Sequence, residues 1–317
     1  MNRTILNSVC RAAMLHPQGA TPRLRLRLTN TPSLLPHGRT IGATYSSVSK
    51  RPDEEGSVIV TGSAKGIGKA IALRLAADGY DVCVNDVASN QAICDEIVKE
   101  IRSMGRKSCT AIADVTKRDE VVGMIQTSVR ELGPLRTMIA NAGTSNAVEL
   151  IDMPDQEFQR LFAVNVFGVQ NCFSEAAKQL ISQGTCRPDR PGKLIAASSI
   201  AGFKAFATLG HYTSSKWAVR GLMQAYAVEM AEHNITANAY APGIVDTTIW
   251  DNMKPGMANK LGLKTDEVMN ALVHSLTMLK RMSVPEDVAK LVSFLASSDS
   301  DFVTGQTQLV DGGVIPT

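Results

Sequence analysis

From Ser57 to the end of the chain, short apolar runs alternate with longer segments in which apolar residues recur every three or four positions. Short β-branched runs are typical of buried strands, and the three-to-four spacing is typical of amphipathic helices. The alternation predicts one α/β domain over residues 56–317, in which helices cover both faces of a doubly wound, seven-stranded parallel sheet. The predicted strands are SVIVTG, DVCVND, SCTAIAD, LRTMIAN, KLIAAS, ITANAY and TQLVDG.

The first 52 residues have a different composition. They contain eight Lys and Arg and no acidic residue, and Ile5, Val9 and Ala13 share one helical face that lies opposite Arg3. An Arg-rich, acid-free leader of this kind predicts a mitochondrial transit peptide over residues 1–52. The alternative is a disordered leader, in which case we expect a cytoplasmic protein.

Charge and cysteine usage exclude several classes of function. The residues after position 52 carry 25 Lys and Arg against 30 Asp and Glu, without a basic cluster, which argues against nucleic acid as a partner. No apolar run approaches the roughly 20 residues of a membrane span. The six cysteines are scattered without a CxxC pair. We therefore expect no membrane span, no bound metal and no disulfide framework.

A glycine-rich turn, TGSAKGIG, separates the first predicted strand from the first predicted helix. Gly62 allows a tight turn, Gly66 lets the main chain approach a pyrophosphate, and Gly68 permits close packing of the helix on the strand. The start of the helix favours an anion. Such glycines also occur in plain flexible turns, but their place between a strand and a helix indicates a dinucleotide-binding domain of the Rossmann type.

Asp86 ends the second predicted strand, where a carboxylate accepts hydrogen bonds from the adenosine ribose hydroxyls and repels a 2′-phosphate. Lys65 favours NADP instead, because a cation just before Gly66 attracts a phosphorylated ribose. The repulsion at Asp86 outweighs what a flexible exposed lysine recovers. We therefore expect NAD as the cofactor, with NADP as the alternative.

Two more strand ends carry polar residues. Asp114 follows the third predicted strand, where its carboxylate would meet an adenine amino group or cap the next helix. Asn141, Ala142 and Gly143 follow the fourth, and this turn lets the main chain pass close to a cofactor. Both places belong to the carboxyl edge of the predicted sheet, where ligands of such folds bind.

Tyr212 and Lys216 stand four residues apart in HYTSSKWAVRGL, so on a helix they share one face and aim at one point. Lowering the pKa of a tyrosine from about 10 towards 7 takes roughly 4 kcal/mol. The Lys216 ammonium and the positive nicotinamide ring of an oxidised cofactor would supply it. Tyr212 is then a candidate general base for alcohol oxidation and general acid for carbonyl reduction.

A second hydroxyl is needed to hold the substrate oxygen while hydride moves. Ser199 lies 13 residues before Tyr212, at the end of the fifth predicted strand, and Ser198 is its rival. Strand ends face the ligand crevice, and the spacing favours Ser199. Serines at this place also simply end a strand and cap the turn after it.

Taken in order along residues 56–317, TGSAKGIG, NAG, AVNVFG, Ser199, YTSSK and APGIVDT resemble the motifs of the short-chain dehydrogenase/reductase family. The resemblance implies a homotetramer or homodimer that oxidises alcohols or reduces carbonyls with NAD(P). By this resemblance, Ser199 would orient and stabilise the substrate oxygen, Tyr212 would transfer the proton, and Lys216 would bind the nicotinamide ribose. Asn165 would hold a water behind Lys216. Further implied cofactor contacts are Ile67, Asp114, Asn141, Ala142, Gly143, Pro242, Gly243, Val245 and Thr247.

Three segments narrow the resemblance to the branch of diacetyl and acetoin reductases and butanediol dehydrogenases. They are YTSSKWAVRGL, APGIVDTTIW and RMSVPEDVAKLVSFLASSDSDFVTGQTQLVDGG. The leader is foreign to that bacterial pattern. The main alternative is an NADPH-dependent carbonyl reductase of secondary metabolism. A nucleotide-binding regulator on the same fold is an alternative of another class, which the presence of Tyr212, Lys216 and Ser199 disfavours.

The substrate pocket is predicted from the segment after Gly243. Its length and its Gly, Met and Asn content, through Ile249, Trp250 and Met253 to about Lys264, are typical of a lid over a substrate. Phe203 and Phe206 would line an apolar pocket without a dedicated cation, or else belong to the core or a subunit interface. We expect a small or medium neutral carbonyl or secondary alcohol.

Overall fold

The computed structural model describes residues 56–316, so the predicted transit peptide, residues 1–52, lies outside the described residues. All seven predicted strands form one sheet, and each pairs in parallel with its neighbours. They are β1 (Ser57–Val60), β2 (Asp81–Val84), β3 (Ser108–Thr110), β4 (Leu135–Ala140), β5 (Gly192–Ala197), β6 (Ile235–Pro242) and β7 (Thr307–Val310).

The strand order is β3-β2-β1-β4-β5-β6-β7. The chain therefore winds outwards in one direction from β1 to β3, and in the other direction from β4 to β7. The reversal falls between β1 and β4, and a crevice opens there outside the carboxyl ends of the strands. This is the place where an open α/β sheet binds its ligand.

Helices cover both faces of this sheet, as the alternating pattern predicts. The described helices are α1 (Gly66–Ala77), α2 (Gln91–Ser103), α3 (Arg118–Leu132), α4 (Asp155–Phe162), α5 (Gly168–Gln183), α6 (Gly210–Met230), α7 (Ile249–Leu261), α8 (Val268–Leu276) and α9 (Pro285–Ala296). One face of the sheet carries a buried cluster built with α1, α2 and α9, and the other carries a cluster built with α3, α5 and α6.

β3 is shorter than predicted from SCTAIAD, because its last four residues leave the sheet. The side-chain amide of the buried Asn85, next after β2, donates hydrogen bonds to the carbonyls of Ala111 (2.8 Å) and Ala113 (3.2 Å). The N–H groups of Ala111 and Ala113 also donate to the carbonyls of Val84 (2.9 Å) and Asp86 (3.2 Å), so the Asn85 side chain supplements the main-chain bonds at the end of β2. The chain consequently bends towards the crevice and brings Asp114 to it.

Among residues 56–316, no helix combines the length and the apolar character that crossing a membrane requires. Nor do these residues contain a group of three or more His, Cys, Asp or Glu side chains arranged to hold a metal ion.

Candidate active site

The turn after β1 allows close approach of main-chain atoms. Gly62 has a φ of +63°, a conformation that favours glycine, and a Cβ added there would lie 2.8 Å from the Cα of Ala142. At Gly68 an added Cβ would collide with the Gly62 carbonyl oxygen. Helix α1 therefore begins directly against the turn. Its first N–H groups have no partner inside the helix, which is what an anion site requires.

The carboxylate of Asp86 is held at the end of β2. It accepts hydrogen bonds from the Ala64 N–H (3.0 Å), the Val87 N–H (2.9 Å) and the side-chain amide of Asn90 (2.8 Å). The bond from Ala64 ties Asp86 to the glycine-rich turn. Lys65 lines the same cavity as Asp86, but its side chain is exposed and makes no hydrogen bond or ion pair within the described residues. Of the two competing charges, the carboxylate is the one with a fixed position.

Asp114 lines the cavity and also closes a local turn. Its Oδ1 accepts hydrogen bonds from the Thr116 N–H (3.0 Å) and the Thr116 hydroxyl (2.8 Å). Helix α3 begins only at Arg118, with Lys117 as its N-cap. The prediction that Asp114 caps this helix is therefore wrong, because the turn intervenes before the helix starts.

Asn141 joins three strands at the edge of the cavity. Its Nδ2 donates to the carbonyls of Thr61 (2.9 Å) and Gly62 (3.1 Å), and its Oδ1 accepts a hydrogen bond from the Tyr240 hydroxyl (2.7 Å). Tyr240 belongs to β6 and is fully buried. Asn141 thus links the glycine-rich turn after β1 to β6 across the end of β4, and it fixes the floor of the crevice.

Tyr212 and Lys216 lie on one face of α6, as the four-residue spacing predicts. The Nζ atom of Lys216 is 5.5 Å from the centre of the Tyr212 ring. The same Nζ donates a hydrogen bond to the Ala197 carbonyl at the end of β5 (2.8 Å). Lys216 is buried and Tyr212 is half-buried, and both line the cavity. The phenol and the ammonium therefore meet at the carboxyl ends of the strands.

The two candidate serines after β5 point to different partners. Ser199 is the serine whose hydrogen bond with Tyr212 lowers the pKa of the phenol, and its Oγ also accepts a hydrogen bond from the Ala201 N–H (3.1 Å). Ser198 donates to the main-chain carbonyl of Lys216 (3.3 Å). The geometry thus associates Ser199 with the phenol and gives Ser198 a bond to the main chain of α6.

Asn165 lies in a π-helical turn, Ala163–Phe167, between α4 and α5. Its Oδ1 accepts from the Thr144 N–H (2.9 Å), and its Nδ2 donates to the Thr144 carbonyl (2.9 Å). A Cβ added at Gly143 would lie 3.3 Å from Asn165 Oδ1 and 3.6 Å from Lys216 Nζ, so the amide and the ammonium flank one glycine. The three-to-four spacing predicts a helix here but carries no sign of the π turn that aims Asn165.

Burial disfavours the charged forms of both Tyr212 and Lys216 and shifts their pKa values accordingly. It raises the pKa of Tyr212, and the hydrogen bond with Ser199 offsets part of the rise. It lowers the pKa of Lys216 to about 8. Without a cofactor the pKa of the phenol is therefore raised, because desolvation dominates and the Lys216 ammonium is directed at the Ala197 carbonyl. The expected lowering also requires the positive ring of an oxidised cofactor and stays a prediction.

These groups share one cavity of about 560 Å³. The glycine-rich turn and Asp86 form one end, and Ser199, Tyr212 and Lys216 lie further along. Every other predicted cofactor residue also lines it: Gly62, Gly66, Ile67, Gly68, Asp114, Asn141, Ala142, Gly143, Pro242, Gly243, Val245 and Thr247. Asn165 is buried behind the wall and does not line the cavity.

The predicted lid is helical. Helix α7, here called the substrate flap (Ile249–Leu261), lines the cavity with Ile249, Trp250, Asn252, Met253 and Met257. The indole of Trp250 donates to the Val245 carbonyl (2.7 Å), which fixes the start of the flap. Leu272 and Leu276 of α8 complete the apolar wall. Periodicity does not mark α8 as part of a pocket, because its leucines have the spacing of any amphipathic helix.

Of the two predicted pocket phenylalanines, only Phe206 lines the cavity. Phe203 is wrong as a pocket residue, because its ring stacks against the Arg220 guanidinium at 3.8 Å. One charged residue was not anticipated at the cavity. Arg160 of α4 lines it, and its guanidinium pairs with Glu157 (2.8 Å).

Residues 57–258 match the family described as short chain dehydrogenase. A diacetyl reductase, (S)-acetoin forming, of Staphylococcus epidermidis is 40% identical over 261 residues, which cover 82% of this chain and 98% of the relative. An L-2,3-butanediol dehydrogenase of Corynebacterium glutamicum is 38% identical over 257 residues, which cover 81% of this chain and 97% of the relative. The resemblance to this branch is therefore confirmed.

The fold has the same kind of relative among solved structures. A short-chain type dehydrogenase/reductase from Mycobacterium marinum superposes with a TM-score of 0.71 at 31% identity. The match covers 83% of this chain and 96% of that protein.

Proposed function

The chain belongs to the short-chain dehydrogenase family, and we propose that it interconverts a secondary alcohol and a ketone with NAD, on small or medium neutral compounds of the acetoin and diacetyl type. One observation carries this proposal. Tyr212, Ser199 and Lys216 converge in a cavity whose other end is a glycine-rich turn at the start of a helix. Such a cavity pairs a proton-transfer group with a phosphate site.

The cavity residues fit a dinucleotide. Side chains are absent at Gly62, Gly66 and Gly68, where the main chain would face the pyrophosphate, and the fixed Asp86 carboxylate would accept from ribose hydroxyls. When bound, the cofactor supplies or accepts the hydride. Lys216, which lines the cavity, would donate to the nicotinamide ribose, and Asn165 would order a water behind Lys216.

The proton takes a separate route from the hydride. In oxidation the substrate carbon loses a hydride and its oxygen loses a proton to Tyr212, and in reduction both return. Ser199 holds the substrate oxygen during either step. The raised pKa of Tyr212 keeps the free protein's phenol protonated at neutral pH, which is the form that donates to a carbonyl oxygen.

The preference for NAD rests on Asp86. A 2′-phosphate beside a carboxylate held by three hydrogen bonds would be repelled, whereas the Lys65 side chain is exposed and is not held by any such bond within the described residues. Asp86→Ser should therefore improve the use of NADP relative to NAD by about tenfold or more. If Asp86→Ser leaves the ratio unchanged, the NADPH-dependent carbonyl reductase, which Lys65 favours, becomes the better description.

The substrate class rests on the lining of the cavity beyond Tyr212. Phe206, Leu209, Met253 and Met257 are apolar. Two cations among the described residues line the cavity away from the glycine-rich turn: Arg160, which is paired with Glu157, and Lys216, which donates to the Ala197 carbonyl. Such a wall suits a neutral compound and offers no free cation for a carboxylate or phosphate. The diacetyl reductase and the butanediol dehydrogenase among the relatives support vicinal oxygen compounds in particular.

The test is steady-state absorbance of reduced nicotinamide with the full chain. NADH and NADPH are compared on diacetyl, acetoin and a panel of unrelated ketones, with Tyr212→Phe as the matched control. We expect turnover of vicinal carbonyls with NADH and a loss of about 10³-fold in Tyr212→Phe. Equal rates in the wild type and Tyr212→Phe would contradict the mechanism, and turnover confined to larger ketones would contradict the substrate class.

We also propose that the protein is a homo-oligomer. Phe167, Trp217 and Val228, in α6 and in the turn before α5, are exposed apolar side chains, which supports a homotetramer or homodimer. Light scattering on the full chain tests this, and a monomer at micromolar concentration would contradict it.

For residues 1–52 we propose the mitochondrial transit peptide, and we expect them to carry a fused fluorescent protein into mitochondria.

A further inference from the structure

Residues 144–149, here called the bridging segment, run between β4 and α4 without regular secondary structure. Even and odd positions of this segment contact different parts of the molecule. Thr144, Asn146 and Val148 are bound to the body that carries Tyr212 and Asn165. Ala147 and Glu149 contact the substrate flap, Ile249–Leu261. One short segment thus contacts both the body and the flap.

The even positions are fixed by three hydrogen-bonded contacts. Asn165 binds both main-chain groups of Thr144 at 2.9 Å. The Val148 N–H donates to the Thr208 carbonyl (2.9 Å), and Thr208 has a φ of 64°, a strained conformation for a β-branched residue. Between them, His211 Nε2 lies 2.5 Å from Asn146 Oδ1. The amide oxygen can only accept, so the imidazole donates.

The odd positions carry the flap. A Cβ added at Gly256 would collide with the Ala147 carbonyl oxygen, so α7 rests directly on the main chain of the bridging segment. Ala147 also belongs to the apolar cluster that contains Met253, Met257 and Ala258 of the flap. Lys260 pairs with Glu149 at 2.6 Å. Any shift of the bridging segment therefore shifts the apolar wall over the substrate.

Among the described residues, the hydrogen bond to Asn146 is the one that His211 makes through its ring, and Glu157 is the charged group that acts on it. His211 is fully buried next to Tyr212, and its Nδ1 has no hydrogen-bond partner among the described residues. A buried imidazole with one unpaired nitrogen costs free energy, which its single bond to Asn146 offsets only in part. We propose that His211 is a positioning residue for the substrate flap: through Asn146 it fixes the bridging segment, on which α7 is docked. The kinetic part of this inference rests on the proposed function.

A matched pair of variants isolates the hydrogen bond. The side-chain amide of glutamine reaches the position of Nε2, whereas that of asparagine reaches only the position of Nδ1. His211→Gln therefore keeps the donor to Asn146, and His211→Asn loses it. We expect His211→Asn to raise KM for the ketone by about tenfold with less than about a threefold change in kcat. The dissociation constant of NADH, measured by fluorescence, should stay within about twofold, and His211→Gln should resemble the wild type.

A second readout does not depend on turnover. Amide hydrogen exchange of the full chain should become about tenfold faster in residues 249–261 of His211→Asn, while α9 keeps its wild-type rate. Asn146→Ala removes the acceptor, and combining it with His211→Asn should add little further, because both variants break one contact. Equal effects of His211→Gln and His211→Asn on exchange would overturn the proposal, as would unchanged exchange of the flap in His211→Asn.

Failure of the proposed function is distinguishable from failure of this inference. If the wild type turns over none of the ketones, the proposed function falls, and hydrogen exchange alone decides the role of His211. If His211→Asn unfolds, Asn146→Ala provides the same test from the more exposed end of the bond, since Asn146 is only half-buried. Faster exchange of the flap in Asn146→Ala then supports the proposal, and an unchanged rate overturns it.

Discussion

On the cofactor side of the cavity, main chain packs against main chain: the turn at Gly62 and Gly68 leaves no room for a Cβ, and β1, β2 and β4 lie behind it in the sheet. On the substrate side, the flap meets the body through side chains and through the bridging segment, residues 144–149. The cofactor side, built from main chain, suits one shape of ligand. The substrate side, built from side chains, can be adapted to another substrate by substitution of those side chains.

The two sides offer a matched test, because Gly68 and Gly256 face the same obstacle. At each, an added Cβ would collide with a main-chain carbonyl oxygen, of Gly62 and Ala147 respectively. The difference is what can move. Gly68 lies between the sheet and its first helix, whereas Gly256 lies in a helix outside the sheet.

The largest effect is expected from Gly68→Ala. Neither the turn nor α1 can retreat without breaking contacts with the sheet, so we expect the NADH dissociation constant to rise by about a hundredfold and the free energy of unfolding to fall by about 3 kcal/mol. Calorimetric titration and urea unfolding measure the two. Gly123→Ala is the control, because nothing lies within 4 Å of a Cβ added to that helix position. Wild-type NADH binding by Gly68→Ala would contradict the close approach.

Lys216 lies between the two sides, and its protonation should affect stability. Its pKa is about 8 in the folded protein and near 10.5 in the unfolded chain, so the unfolded chain binds more protons between those values. Stability should therefore rise with pH over this window, by about 3 kcal/mol for this group alone. Urea unfolding of the wild type and Lys216→Met from about pH 7 to 10.5 should show the rise only in the wild type. A difference between the two that does not vary with pH would contradict a desolvated ammonium.

Gly256→Ala should have a smaller effect than Gly68→Ala, and on a different constant. The flap can move away from Ala147 as a unit, at the expense of the apolar cluster that its Met253 and Met257 form with Ala147 and Leu209. We expect KM for the ketone to rise by about tenfold while the NADH dissociation constant stays within about twofold. Gly221→Ala, at a helix position with open space around the added Cβ, is the control. Weaker NADH binding in Gly256→Ala would show that the two sides are not independent.

The contrast between the cofactor side and the substrate side also explains which features could be predicted from the sequence. The strands, the glycine turn and the pairing of Tyr212 with Lys216 follow from local spacing, because β-branched runs, glycine positions and helical periodicity act within a few residues. The contacts of the substrate side join residues far apart in the chain. His211 is hydrogen-bonded to Asn146, 65 positions away in the sequence. Phe203 does not line the pocket, because its ring stacks on the Arg220 guanidinium. No spacing rule carries such pairings.

Burial is the other feature that spacing did not predict. The four-residue interval between Tyr212 and Lys216 indicates that they lie close together, but it does not show that desolvation raises the pKa of the phenol when no cofactor is bound. The interval places both groups on one face of α6, but the carbonyl of Ala197, which takes the Lys216 hydrogen bond, comes from β5. The direction of a pKa shift depends on all neighbours, and those come from several elements.

The smallest effect is expected where the flap meets the bridging segment by charge alone. Lys260 and Glu149 lie 2.6 Å apart, but their side chains are 51% and 42% exposed, so water and salt screen the attraction. Lys260→Gln should change KM for the ketone by less than about twofold, and about 1 M NaCl should remove the difference. A roughly tenfold effect of Lys260→Gln would instead make this pair, rather than Gly256 and the apolar cluster, the contact that keeps the flap on the body. The substrate side would then be closed by a screened charge pair, and its affinity for substrate would vary with ionic strength while that for NADH would not.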